Sequence, residues 1–317
     1  MQKPFFSIII PAYNLENYIA AALQSVLVQT FQDFEIIIVD DGSSDETVSI
    51  IQSFHDPRIR LVSQVNGGVS RARNAGMKKA VGAYIAFLDG DDYWYPEHLE
   101  LAADFFNRHP EILVYANRYM RDELEAIPPR PPSYPESIRR LGIRGVLFMH
   151  PSSVILNSSL ASRLPPWEEA MPYGEDGLYW TRCMRGTGLI GLGGSVTSIY
   201  RQRASSAMHD EHYQHVSLHS LIAPLLNELE AMKNPKWQFA VHYLVIRELH
   251  PKRLLSLNAE ERISLTGRIR KIMHPCLNRL FLDSYMKACS ARAGMEQSFS
   301  ALMDRTMFSC KWLDRLE

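Results

Sequence analysis

The sequence predicts an α/β protein built on a central, mostly parallel sheet flanked by helices. Two observations carry this. Short apolar runs alternate with amphipathic stretches over residues 6–88, the order expected of successive strand–helix–strand units. Two of those runs also end in acids, Glu35-Ile-Ile-Ile-Val-Asp40-Asp41 and Tyr84-Ile-Ala-Phe-Leu-Asp89-Gly-Asp91-Asp92. Open α/β sheets bind ligands beyond the carboxyl ends of their strands, and both clusters fall there.

The elements follow in order. Phe6 to Ile10 reads as a buried strand that Pro11-Ala-Tyr-Asn14 breaks. Residues 15–28 read as a helix with Ile19, Leu23, Val26 and Leu27 on one face. Glu35 to Val39 is the second strand. Ser44, Thr47 and Val48 open a second helix with Asp45 and Glu46 in its first turn, where the helix dipole favours acids. Arg58 to Val62 is a strand, Gly67-Gly68 a turn, Ser70 to Ala80 a helix and Tyr84 to Leu88 the strand that ends in acids. Ile127 to Pro135 is a proline-rich loop, long enough to cover a site. Val154 to Leu156 and Val196 to Tyr200 read as strands, and Glu175 to Arg185 as a helix ended by Gly186. The pattern is helical from residue 209 to the end, so a boundary is expected after 208.

Composition narrows the class. The chain has 317 residues, 46% hydrophobic and 22% charged, as in ordinary globular proteins. A net charge of −1 argues against a nucleic-acid partner. Cys183, Cys276, Cys289 and Cys310 form no Cys-x-x-Cys pair and read as reduced thiols of a cytoplasmic protein. The N-terminal residues do not have the shape of a signal peptide, and no run of about eighteen apolar residues is present to span a membrane.

The acids carry the chemistry. Asp89, Asp91 and Asp92 repel one another and raise each other's pKa unless a cation sits among them. Hard oxygen ligands at a strand tip suit Mg²⁺ or Mn²⁺ held together with a substrate phosphate. This points to a nucleoside diphosphate. An acid at the other tip, in Asp40-Asp41-Gly-Ser-Ser-Asp45, can accept a hydrogen bond from a uracil ring or a ribose, although the same residues also make an ordinary helix cap. Tyr13 can stack on a base, though alone its motif reads as a turn with a packed tyrosine. Arg71 or Arg73 can grip a diphosphate with its guanidinium fork; a solvated helix face is the competing reading. His209, just past the last expected strand, can swing to the metal. Gly186-Thr-Gly188-Leu-Ile-Gly191 matches a dinucleotide-binding pattern but follows a helix and precedes a strand, the reverse of what that pattern needs.

Taken together, Pro11-Ala-Tyr-Asn14, Ser25 to Phe31, Glu35 to Asp45, Asn66-Gly-Gly-Val, Ala72-Arg73-Asn74, Gly82 to Asp92 and Glu175-Asp176 resemble the inverting family 2 glycosyltransferases of the GT-A fold. The likeness covers roughly residues 5–205. It implies a GT-A domain over 1–208, with a nucleotide-binding half (1–95) and an acceptor half (96–208), followed by a helical region over 209–317. It implies that Asp41 reads the uracil, that Pro11, Tyr13 and Asn14 line the base pocket, and that Asp89 and Gly90 belong to the donor site. Asp91 becomes the direct metal ligand, with Asp89 beside it, and Asp176 the catalytic base. Gly90 stands where alanine is usual, a departure expected not to matter. The implied donor is a UDP-sugar and the cofactor Mn²⁺ or Mg²⁺. The implied acceptor is a saccharide or lipid-linked saccharide of surface polysaccharide or glycolipid synthesis.

Two alternatives stay open. One is a nucleotidyltransferase-like phosphoryl enzyme, which would more naturally carry a glycine-rich, lysine-bearing loop after the first strand. The other is a non-catalytic binding module on the same fold. The stretch from Lys252 to Arg292 is strongly basic, opposed by Glu260, Glu261 and Asp283. It leaves open peripheral contact with the inner face of a membrane, a homodimer surface, or a plain helical cap.

Overall fold

A computed structural model describes residues 3–122, 133–139, 149–171, 173–201, 223–228 and 267. The strands are β1 (Phe6–Ala12), β2 (Phe34–Asp40), β3 (Ile59–Ser63), β4 (Tyr84–Phe87), β5 (Tyr93–Trp94), β6 (Val114–Asp122), β7 (Ser137–Arg139), β8 (Val154–Asn157) and β9 (Ile190–Arg201). The helices are α1 (Ile19–Leu27), α2 (Thr47–Gln52), α3 (Val69–Met77), α4 (His98–Arg108), α5 (Ser158–Ala161) and α6 (Glu175–Thr187), with a 3-10 turn at Pro151–Ser153. The chain divides into two units, Met1–Asp210 and Glu211–Glu317. Of the second, residues 223–228 are helical. His209, most of the proline-rich loop and nearly all of the expected C-terminal helical region lie outside the described residues.

All nine strands join one sheet in the order β3-β2-β1-β4-β8-β6-β9-β5, with β7 also on β9. The first four are parallel neighbours, as expected. Beyond β4 the sheet is mixed: β8 is antiparallel to both β4 and β6, β9 is parallel to β6, and β5 and β7 are antiparallel to β9. The sheet is therefore parallel in one half only. The sequence pattern could not show this, because strand direction in the second half depends on connections between distant segments.

Alternation along β1 and β2 builds a core on each face, because successive side chains point to opposite sides. Ile8, Ile10, Ile36 and Ile38 face α1 and α4 on one side. On the other, Ile37 and Val39 meet Ala72 of α3. Both strands are buried along almost their whole length, which is why they read as isoleucine runs rather than alternating patterns. The first turn of α1 forms later than expected. Residues 15–18 make a turn, and Leu15 N donates to Thr47 Oγ1 at 2.6 Å. Likewise α2 starts at Thr47, so Asp45 precedes the helix and caps it by accepting from Thr47 N at 3.0 Å. At the end of α6 the stop is Gly188, in the left-handed conformation at φ 71°, rather than Gly186.

Gly82 fixes the entry into β4. Its N–H donates to Ser7 Oγ at 2.8 Å, while Ser7 Oγ donates to Glu35 Oε1 at 2.6 Å. A Cβ at position 82 would lie 2.6 Å from Ser7 N and 2.7 Å from Phe6 C, both main-chain atoms. Gly82→Ala is therefore expected to cost about 2 kcal/mol or more, in the range of overpacked cores, measured by urea denaturation. The same change at Gly67, where Cβ meets only the movable Arg71 side chain, should cost less.

Candidate active site

The loops after β1 and β2 are fastened to each other. Asn14 holds φ 50°, the only positive value at a non-glycine among the described residues. Its N–H donates to Ser43 Oγ at 3.1 Å and its Oδ1 accepts from Ser44 N at 2.9 Å. Asp41 N donates to Ala12 O at 2.8 Å. The Asp41 carboxylate accepts from Gln64 Nε2 at 2.7 Å, Gly67 N at 2.9 Å and Gly68 N at 2.7 Å. Asp41 thus latches the glycine turn that opens α3. Tyr13 stands half-exposed beside these loops, with Pro11 buried behind it. Arg71 is exposed, and its side chain lies across Gly67.

At the end of β4 the acids form a tight turn, with Asp92 N donating to Asp89 O at 2.9 Å. Asp91 is part-exposed on this turn, while Asp92 is buried. The Asp92 carboxylate accepts from Ser152 Oγ at 2.6 Å and from Arg201 N at 2.9 Å, and lies 3.6 Å from His150 Nδ1. Burial, then Asp91 and Asp89, push its pKa well above the usual carboxylate range, and the bonds from Ser152 and Arg201 pull back. Ser152 ties the cluster together. Its hydroxyl also accepts from Asp89 N at 3.0 Å, and its N–H donates to His150 Nδ1 at 3.3 Å. Its carbonyl accepts from Trp94 Nε1 at 2.6 Å. Asp89, Asp92 and His150 bring their ligand atoms within 4.8 Å of one another. Two carboxylates and an imidazole make a donor set that a divalent cation can use. Gly90 is closely packed: a Cβ would lie 2.6 Å from Leu15 Cδ1 and 3.0 Å from Pro11 O. The glycine thus lets the turn sit close against β1, and an added Cβ would have to push the Leu15 side chain aside.

Arg73 links this turn to α6. Its guanidinium donates to Asp89 Oδ1 at 2.7 Å and to Glu175 Oε1 at 2.9 Å, and lies 4.5 Å over the Trp167 ring. Burial opposes its charge, but Asp89 and Glu175 outweigh that and raise its pKa. Burial and then the neighbouring Asp176 push the Glu175 carboxyl up to about 7, with Arg73 pulling back. Asn74 clamps the segment before α6: it donates to Trp167 O at 2.9 Å and accepts from Trp167 N at 2.9 Å. Asp176 is part-exposed in the first turn of α6, its Oδ1 accepting from Gly177 N at 2.7 Å.

Of the expected donor and base residues, Pro11 lies at the end of β1, Tyr13, Asn14, Asp41, Asp89, Gly90 and Asp91 lie on loops after the strands, Arg71 and Arg73 lie in α3, and Asp176 lies in the first turn of α6. Sequence reasoning missed His150, Ser152 and the structural use of Glu175. The signal was His150-Pro-Ser-Ser ahead of an apolar run. Because β8 runs antiparallel to β4, with Ala86 opposite Ile155, the residues before β8 lie at the acidic end of β4.

The sheet thus carries acids at the tips of β2 and β4, and Arg73 joins the turn after β4 to the acidic start of α6. The model of "Glycosyl transferase family 2" matches residues 7–162. The glycosyltransferase WfgD of Escherichia coli, UDP-Glc:alpha-D-GlcNAc-diphosphoundecaprenol beta-1,3-glucosyltransferase, is 32% identical over 65% of this chain and 80% of its own length. The uncharacterized glycosyltransferase EpsJ of Bacillus subtilis (strain 168) is 50% identical over 28% of this chain and 27% of its own. The match thus spans about a quarter of that relative. Among solved structures, S. aureus TarS 1-349 in complex with UDP-GlcNAc aligns with a TM-score of 0.67 at 22% identity, covering 86% of this chain and 82% of that one. The mannosyltransferase PcManGT from Pyrobaculum calidifontis in complex with GDP-Man and Mn²⁺ aligns with a TM-score of 0.56 at 15% identity, covering 94% and 88%. The chain belongs to glycosyl transferase family 2 and has the GT-A fold.

Two outcomes test this geometry. Ser152→Ala leaves the buried Asp92 carboxylate short of one donor, so it should destabilise the protein by about 1–3 kcal/mol and weaken Mn²⁺ binding in calorimetry. Glu175 holds its proton more tightly folded than unfolded. Folding therefore takes up a proton between the ordinary value of 4.5 and about 7, and this carboxyl's stabilising contribution is lost as pH rises through that window. Thermal melts in chelator across that window should show a flatter profile for Glu175→Gln than for the wild type.

Proposed function

We propose that the protein transfers a sugar from a UDP-sugar to a hydroxyl of a saccharide or lipid-linked saccharide, with inversion, in surface polysaccharide or glycolipid synthesis. The observation that carries this reading is the convergence of the acidic turn after β4 and the Asp176-bearing start of α6 on one guanidinium, Arg73. The UDP-glucose and diphosphoundecaprenol in the name of WfgD, and the UDP and UDP-GlcNAc complexes of TarS, support the choice of donor and acceptor class.

Asp89, Asp92 and His150, with Asp91 on the same turn, are the residues that would hold a divalent ion, Mn²⁺ or Mg²⁺. Such an ion supplies charge neutralisation for the departing nucleoside diphosphate. Asp41, Pro11 and Tyr13 face the base and ribose, and Arg71 is the exposed cation beside the glycine turn. Asp176 takes the proton of the acceptor hydroxyl as that oxygen attacks the anomeric carbon. Attack from the face opposite the leaving group inverts the configuration, so no covalent enzyme intermediate is needed. Among the described residues no helix is long and apolar enough to cross a membrane. A lipid-linked acceptor would bring the protein to the cytoplasmic membrane face, where the basic stretch from Lys252 to Arg292 can meet anionic headgroups. The turn after β1 is Pro11-Ala-Tyr-Asn14 rather than a glycine-rich lysine loop, which gives the nucleotidyltransferase reading no support.

Calorimetric titration of UDP should show binding with Mn²⁺ that is lost in chelator and in Asp91→Ala. Hydrolysis or transfer from the accepted UDP-sugar should fall about 10²- to 10⁴-fold in Asp176→Asn, the usual contribution of a general base, with UDP affinity preserved. A wild-type protein that binds no UDP in the presence of Mn²⁺ would exclude the uridine donor.

A further inference from the structure

The Arg73 guanidinium is nearly closed to ligands. Its side chain is 3% exposed, with one nitrogen on Asp89 at 2.7 Å and another on Glu175 at 2.9 Å. Trp167 covers one face at 4.5 Å. Its Nε is buried without a hydrogen-bond partner among the described residues. A diphosphate reaching this group would have to displace two carboxylates. Arg73 instead lies between two parts that are far apart in the chain. Asp89 belongs to the acidic turn that would carry the donor, and Glu175 is the residue before Asp176.

The next residue acts in the same direction. Asn74 makes a two-way pair with the main chain of Trp167, 2.9 Å each way, and donates to Glu169 Oε1 at 2.9 Å. The adjacent side chains of α3 thus hold both the segment that leads into α6 and the first turn of α6. Two backbone glycines frame the same arrangement. Gly68, at φ 88°, opens α3 and is held by Asp41, and Gly174, at φ 76°, opens α6. Asp41, Arg73 and Asn74 therefore give α3 a fixed place among β2, β4 and α6.

We propose that Arg73 is a positioning residue: its two-pronged bond to Asp89 and Glu175 sets the distance between the acidic turn and Asp176, and it does not itself bind the diphosphate. This rests on the glycosyltransfer reading given above. It departs from the expectation that an arginine of this motif steadies the donor, and it places rate rather than donor affinity under the control of Arg73. The geometry needs a planar fork. Lysine gathers its donors on one nitrogen and lacks the two-nitrogen fork that reaches Asp89 and Glu175 separately, so Arg73→Lys keeps the charge and disturbs the bridge. Glu175→Leu removes the acceptor at the other end.

The test uses the whole 317-residue chain, with UDP affinity in Mn²⁺ from calorimetry and kcat and KM from hydrolysis or transfer of the accepted UDP-sugar. A wild-type protein that neither binds UDP nor turns over a UDP-sugar removes the UDP-sugar reading given above, and this proposal with it. With an active wild type, Arg73→Lys should lower kcat about 10- to 100-fold, the effect of a small misplacement of a reacting group, while UDP affinity and donor KM stay within about threefold, a rate effect without a binding effect. Glu175→Leu should do the same. The double variant Arg73→Lys/Glu175→Leu should be no slower than the worse single variant, because both changes act on one bridge. Three results would overturn the proposal: UDP affinity falling in step with rate in Arg73→Lys, which would make Arg73 a diphosphate grip; losses in the two single variants that multiply in the double; or wild-type kcat in Arg73→Lys. If Arg73→Lys does not fold, Glu175→Leu decides alone. Loss of kcat at unchanged UDP affinity supports the bridge, and wild-type kcat removes it.

Discussion

Negative charge gathered at the carboxyl ends of the strands is the constraint to which the rest of this site is fitted. Asp41, Asp89, Asp91, Asp92, Glu175 and Asp176 lie on loops and helix starts at that end, several of them buried. Burying a carboxylate is costly unless donors or cations surround it. Each buried acid here has its own answer. Asp41 takes the amides of a glycine turn, Asp92 takes a serine hydroxyl and a strand-end amide, and Asp89 and Glu175 share one arginine. The loops take their shape from these bonds, and the strands beneath supply rigidity. The charge left incompletely balanced, at the turn of Asp89 to Asp92 beside His150, is where a divalent ion is suited to sit.

Other buried polar groups nearby are neutral. His98 is sealed against Trp94, ring centroids 4.2 Å apart, and bonded to Thr197 Oγ1 at 2.9 Å; burial pushes its pKa down to about 3. It packs as an uncharged ring behind the acids. Trp94 in turn bonds to Ser152 O. The charged front of the site therefore rests on a neutral, closely packed layer.

The parallel half of the fold was legible because its signals are local. Isoleucine runs mark strands buried on both faces, helical spacing marks α1 and α3, and acids at strand ends mark the ligand side. Element limits shifted where side chains capped the chain in non-helical form, as Thr47 does for Leu15 and Asp45 for Thr47. The second half was less legible because β6, β8 and β9 obtain their directions from partners far away in sequence. Of the site, the acids and the Glu175-Asp176 pair were visible as residue types. What each side chain touches was not. Arg73 reads as a cation near a helix start, and nothing in its neighbourhood in the sequence shows that both its partners are carboxylates. Ser152 looked like one serine among several until β8 was known to run antiparallel to β4.

The bonds that complete the site span long stretches of chain: 93 residues from Asn74 to Trp167, 102 from Arg73 to Glu175 and 109 from Asp92 to Arg201. The β1–β2 and β2–β3 pairs join neighbouring segments, whereas these contacts, like the β1–β4 pair, require large loops to close, the slow part of folding. A folding intermediate with the parallel half alone would carry the acids but neither the α6 turn nor the strand-end amide that balances them. The assembled site exists only when these distant segments are together, so a ligand that recognises it stabilises the fully folded chain rather than its parallel half.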